Sequence, residues 1–138
     1  CMALPKDEIV LVTPSDHLIK NETKYQEVIK LAQNEAKKDN LVTFGITPTH
    51  PETGFGYIEA KPGNSECLVF DVELFHEKPN QNKAKEYIDN NSKLKTQNSK
   101  LFLWNSGMFM FKAGVFLEEL KNHSPKIYQE CKKVYENN

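Results

Sequence analysis

The feature that most constrains this chain is the apolar run Ile9-Val10-Leu11-Val12-Thr13, which stops abruptly at Pro14-Ser15-Asp16-His17. A β-branched run this short, closed by a residue that cannot donate to a ladder, predicts a buried strand that ends at a loop. In open α/β sheets ligands bind just beyond the carboxyl ends of the strands, so Asp16 stands where a metal-binding carboxylate belongs. Its other reading is a turn residue that satisfies its own backbone.

Tyr25, Val28, Ile29, Ala32 and Ala36 then recur at helical spacing, which predicts a helix from about Glu22 to Lys38. Asn21 can cap it, Glu22 suits its positive end, and Lys37 and Lys38 suit its negative end. Leu41 to Ile46 reads as a second buried strand. A strand-helix-strand unit with short loops implies parallel pairing of the two strands.

Pro48, Pro51 and Gly54 make residues 47–55 an irregular loop. Tyr57 to Lys61 is extended, Pro62-Gly63-Asn64-Ser65 is a turn, and Cys67 to Glu77 reads as a strand with one wet face, suited to a hairpin. Pro79 ends that strand, and Asn80 to Asn91 is a short amphipathic helix bearing Ala84, Tyr87 and Ile88. Asn90 to Lys100 is expected to be a mobile loop. Asn105-Ser106-Gly107 is expected to break the apolar stretch Leu101 to Trp104 from a following strand, Met108 to Phe111. Two helices follow, Ala113 to Lys121 and one with Ser124 as N-cap and Pro125 at its first position.

Three further loops could carry chemistry. Gly54 and Gly56, either side of Phe55, let backbone approach a ligand closely, although a tight turn alone would explain them. Glu77-Lys78-Pro79 sets an acceptor and a cation at a strand exit, the pairing that holds sugar hydroxyls and a phosphate; many such pairs are simply solvated. Strict alternation would aim Glu77 and Lys78 at opposite faces, so a shared ligand requires a twist or bulge there. Asn105 and Ser106, polar within an apolar run, need partners, and a bound polar ligand is one.

The bulk numbers narrow the class. At 138 residues the chain suffices for one domain with a real core. A net charge of -1 gives no long-range attraction to nucleic acid or anionic membrane, and no apolar stretch approaches a membrane span. Neither partner is therefore expected. Cys1, Cys67 and Cys131 are odd in number and widely spaced, which argues against a disulfide scaffold or zinc module and for a reducing, cytoplasmic setting. The chain opens on Cys1 and enters a strand almost at once, so it reads as the middle of something longer.

Taken in order, Pro14 to His17, Phe44-Gly45-Ile46 with Pro51 to Ile58, Glu77-Lys78-Pro79, and Trp104 to Phe109 resemble the motifs of the sugar nucleotidyltransferases, most closely the mannose-1-phosphate guanylyltransferase branch. Each motif is weak alone, and four in sequence are strong. The resemblance implies an α/β fold, a Rossmann-like mixed sheet flanked by helices, here incomplete, with residues 1–138 forming the sugar-phosphate-binding half of one nucleotidyltransferase domain. By similarity Asp16 would bind Mg²⁺, Gly56 would offer its backbone to the sugar, and Glu77 would hold sugar hydroxyls. Lys78 would hold the phosphate of mannose 1-phosphate, and Asn105 would line the sugar pocket with Trp104 beside it. His17 belongs to the motif in a structural role. The implied substrates are GTP and mannose 1-phosphate, and a homo-oligomer is compatible with the resemblance.

The family's Gly-rich, Arg-containing nucleotide loop and its second metal-binding aspartate have no counterpart in these residues, which are therefore expected not to turn over alone. Relatives can also carry a cupin-type domain that isomerises mannose 6-phosphate, and nothing here represents it. The rival readings are a thymidylyl- or uridylyltransferase acting on a glucose-type sugar phosphate, and a non-catalytic regulatory homologue of the same fold.

Overall fold

Among the described residues the elements run in the order β1 (Ile9–Val12), α1 (Glu22–Ala36), β2 (Val42–Ile46), β3 (Tyr57–Ala60), β4 (Val72–His76), α2 (Gln81–Ser92), β5 (Leu101–Lys112), α3 (Ala113–His123) and α4 (Pro125–Glu136). The structure is a computed structural model that describes residues 1–61, 68–92 and 100–137. The expected turn at Pro62 to Ser65 lies outside these residues, as does most of the loop expected from Asn90 to Lys100. Two compact units divide the chain: residues 1–43 with 107–138, and residues 44–106.

In the first unit β1 lies antiparallel to the end of β5, with Ile9 opposite Lys112 and Val12 opposite Phe109. α1 follows the expected pattern. The Lys24 N–H donates to Asn21 Oδ1 at 2.9 Å, and Ala32 and Ala36 are buried at the centre of the predicted stripe. Asp39, at φ 67°, takes the chain out of the helix and forms an ion pair with Lys112 at 2.7 Å. Met108, Met110, Phe111 and Ala113 are buried here, and Phe111 stacks on Phe116 at 4.8 Å. The segment before β1 is tied down where β5 turns into α3: Ala113 N–H donates to Glu8 O and Gly114 N–H to Lys6 O. Ser124 lies between α3 and α4, with Pro125 at the first position of α4 as expected, although its side chain makes no capping bond.

In the second unit β3 is paired on both sides, by β4 and by the start of β5, both antiparallel. That explains why all four of its residues are buried. α2 presents Ala84 and Tyr87 to this sheet, where they join Tyr57, Phe102 and Trp104 in one core. Tyr87 stacks on Phe102 at 4.3 Å. Asn91 completes the attachment with a two-way bond: its Nδ2–H donates to Phe102 O at 2.7 Å, and Phe102 N–H donates to its Oδ1 at 2.8 Å. A side-chain amide thus does for β5 what a neighbouring strand would do.

Four expectations change. β1 and β2 do not form a parallel pair; each pairs with β5. The predicted break at Asn105 to Gly107 is absent as well. Gly107 takes a left-handed φ of 72°, yet β5 continues for 12 residues with strictly alternating burial from Leu101 to Met110. A strand of that length offers edges to β1, β2 and β3 together, which removes the need for direct contact between the first two. β1 and β2 are also less buried than expected, with Val12 43% and Ile46 46% exposed. The strand expected from Cys67 shortens to β4, and its apolar alternation does not mark a buried face: Leu68, Val72, Leu74 and Phe75 are all exposed.

Candidate functional site

Strand register assembles the site. Tyr57 lies opposite His76 on β4 and opposite Trp104 on β5, so one step back along β3 brings Gly56 level with Glu77 and Asn105. The contacts agree. Asn105 N–H donates to Gly56 O at 2.8 Å, and a Cβ added to Gly56 would stand 3.0 Å from Glu77 Oε2 and 3.7 Å from Asn105 Cβ. Three residues picked from separate motifs therefore form one transverse row where β3 and β4 meet their loops beside the interior of β5. Glu77 is exposed and Asn105 half-buried, so the row faces solvent.

Lys78 ends the row with a change of backbone. Its φ of 42° is left-handed, so the two-residue alternation fails at the point where it would otherwise separate Glu77 from Lys78. The regular strand alternation therefore ends at Lys78. The Lys78 side chain is exposed.

The loop leading into Gly56 is held by groups the sequence reading passed over. Tyr57, fully buried, accepts a bond at its hydroxyl from Glu52 N–H at 3.1 Å. The Glu52 carboxylate accepts from Gly54 N–H at 2.8 Å and pairs with His50 at 3.3 Å. These contacts, the Gly54 bond foremost, hold its pKa below the usual carboxylate value. Trp104 packs edge-on against His50 at 5.0 Å and Phe55 at 5.3 Å. It lies on the face of β5 opposite Asn105, so it braces the loop from the core and does not flank the row, contrary to expectation. The one signal for Glu52 was its place two residues before Gly54, where a carboxylate can bond back to a turn N–H.

Asp16 stands in the first unit, exposed, in a turn after β1. Pro14 of the same motif approaches β5, its Cγ 3.4 Å from where a Cβ on Gly107 would be. His17, read as structural, is exposed. Among the described residues no group of three or more His, Cys, Asp or Glu could hold a metal ion. A single exposed carboxylate does not by itself make a metal cage.

A strand-built row of a carboxylate, an amide and a bare backbone, followed by a lysine, offers acceptors, donors and a cation at the surface of an α/β fold. The model of the family described as nucleotidyl transferase matches residues 2–138, and the chain belongs to that family. It is 40% identical over 131 residues to the mannose-1-phosphate guanylyltransferase of Escherichia coli, covering 93% of this chain and 26% of that protein. It is 42% identical over 130 residues to the xanthan biosynthesis protein XanB of Xanthomonas campestris, covering 94% of this chain and 25% of that one. A solved structure described as mannose-6-phosphate isomerase from Helicobacter pylori superposes with a TM-score of 0.80 at 42% identity, covering 98% of this chain and 47% of the other. The chain thus spans about a quarter of the length of these curated relatives. Among the described residues no helix is long and apolar enough to cross a membrane.

Proposed function

We propose that this chain holds the sugar-phosphate side of a nucleotidyltransferase that makes GDP-mannose and pyrophosphate from GTP and mannose 1-phosphate. The observation that carries the reading is the row of Gly56, Glu77 and Asn105 with Lys78 at its end. Glu77 accepts from hexose hydroxyls, the Gly56 backbone lets the ring lie close, and Asn105 offers an amide that can donate and accept. Lys78 holds the phosphate as a point charge.

In the reaction an oxygen of the sugar phosphate forms a bond to the α-phosphorus of GTP, and the bond to the bridging oxygen breaks, releasing pyrophosphate. Such a step needs alignment and charge neutralisation more than covalent help, which suits a site without a nucleophilic serine or cysteine. Asp16 would share Mg²⁺ with the phosphates, and that ion would supply neutralisation of their charge.

The test is titration of the 138-residue chain with mannose 1-phosphate and with glucose 1-phosphate, followed by amide NMR. Shifts at Gly56, Glu77, Lys78 and Asn105 that saturate at lower mannose 1-phosphate are expected. Preference for glucose 1-phosphate would move the reading to the uridylyl and thymidylyl enzymes, and silence at all four amides with either sugar would overturn it.

A further inference from the structure

Glu59, in the middle of β3, is only 3% exposed, yet it carries a carboxylate. Its Oε2 lies 2.7 Å from His76 Nε2, and its Oε1 meets the Lys100 ammonium in an ion pair. The three partners come from three places: Glu59 from β3, His76 from the last residue of β4, and Lys100 from the position just before β5. One buried acid thus joins the three strands that present Gly56, Glu77 and Asn105.

The location matters because the β3/β4 ladder is irregular there. Glu59 pairs with Leu74 and Ala60 with Val72, so Glu73 is an extra residue on β4. A bulge lets a strand slip, and a slip of one residue turns every following side chain to the other face. Glu77 lies four residues beyond the extra residue, Glu73, and so the face it takes depends on which register wins. The hydrogen bond from His76 to Glu59 forms in only one of them. His76 is further held by ring contacts with Tyr87 at 5.1 Å and Phe102 at 6.0 Å, and Lys61 pairs with Glu73 across the bulge at 3.1 Å.

We propose that Glu59 and His76 are positioning residues that lock the register of β4 on β3 and thereby hold Glu77 beside Gly56 for sugar-phosphate binding; the ligand part rests on the function proposed above. Neither residue touches the ligand. Their effect reaches it through strand placement.

The experiment compares wild type, His76→Phe and His76→Gln in the full chain, reading hydrogen exchange at the Lys61 amide, which donates to Asp71 O across the β3/β4 pairing, and affinity for mannose 1-phosphate. Phenylalanine keeps the ring contacts and removes the bond to Glu59, so Lys61 exchange is expected to speed up about tenfold while amides of α1 keep their protection. Mannose 1-phosphate affinity is expected to fall about tenfold as Glu77 leaves its place. Glutamine, which can still donate to Glu59, should restore both. Unchanged exchange and affinity in His76→Phe would overturn the proposal. Faster exchange in His76→Phe, with no binding even by wild type, would sink the ligand reading and leave the register lock supported. If His76→Phe does not fold, Glu59→Leu, which removes the acceptor at similar size, carries the same comparison with the same expected losses.

Discussion

The Asn105 N–H donates to the Gly56 carbonyl at 2.8 Å, and that bond fixes the spacing of two members of the row that the Glu77 carboxylate completes on the other side of Gly56. A methyl on Gly56 would meet Glu77 Oε2 at 3.0 Å. The obstacle is the free end of a flexible, exposed side chain, so Gly56→Ala should cost little stability while displacing the carboxylate. Mannose 1-phosphate binding should weaken about tenfold, or 1.4 kcal/mol, with melting temperature nearly unchanged. Isothermal titration beside a thermal melt checks both, and a large drop in melting temperature would show that Gly56 serves the fold instead.

How much of this was legible in the sequence depended on whether the signal was local. The α1 stripe, its Asn21 cap and the α2 core residues follow from spacing along one element, and the structure has them as read. The row of Gly56, Glu77 and Asn105 was named residue by residue, but its geometry comes from the pairing of β3 with two strands. What failed was non-local. Nothing in Ile9 to Val12 says that its partner is β5, almost a hundred residues on, and Gly107 looks like a break because a left-handed φ inside a continuing strand leaves the same trace as a turn. Glu59 was invisible for a related reason: a glutamate in an extended run reads as solvated until the partners that neutralise it are brought up by other strands.

Gly45 is a packing glycine. A Cβ there would come within 2.5 Å of Leu103 Cδ1 and 2.8 Å of Leu103 Cβ, too close for a rotamer change to relieve. Gly45→Ala should destabilise by about 1–3 kcal/mol through overpacking. Adding Leu103→Ala should recover part of that loss, so urea denaturation of the two single variants and the double variant should show coupling. Strict additivity would place the strain elsewhere.

Asn91 supplies both a donor and an acceptor to Phe102 on β5. Asn91→Ala leaves the two backbone groups without that partner and should cost about 1–3 kcal/mol. Asn91→Asp keeps the acceptor and loses the donor, so it should fall between wild type and alanine at neutral pH. Chemical denaturation ranks the three, and an alanine variant as stable as wild type would mean that water replaces the amide without penalty.

Glu59 makes stability depend on acid. Burial pushes its pKa up, but contacts with Lys100 and His76 outweigh burial and hold it below the usual carboxylate value. For a depressed acid the stabilisation is complete above the unfolded pKa and is lost as pH falls through the folded one. The melting temperature of wild type should therefore exceed that of Glu59→Gln at neutral pH, and the gap should close on acidification below the ordinary carboxylate range. A gap that stays constant over that range would show that the ion pairs contribute nothing to it.

Lys78 separates strain from charge. Its φ of 42° is costly for any residue with a Cβ, by about 1 kcal/mol, and glycine escapes that cost. Lys78→Gly and Lys78→Ala both remove the ammonium, so both should weaken mannose 1-phosphate binding by a similar factor, on the order of tenfold to a hundredfold for loss of a charge-assisted contact. They should differ in stability, with the glycine variant about 1 kcal/mol more stable than the alanine variant because it adopts the left-handed conformation without penalty. Binding measured beside denaturant midpoints gives four numbers from two proteins. Equal binding with unequal stability assigns the ammonium to the phosphate and the backbone turn to the fold; wild-type binding by either variant would remove Lys78 from the site.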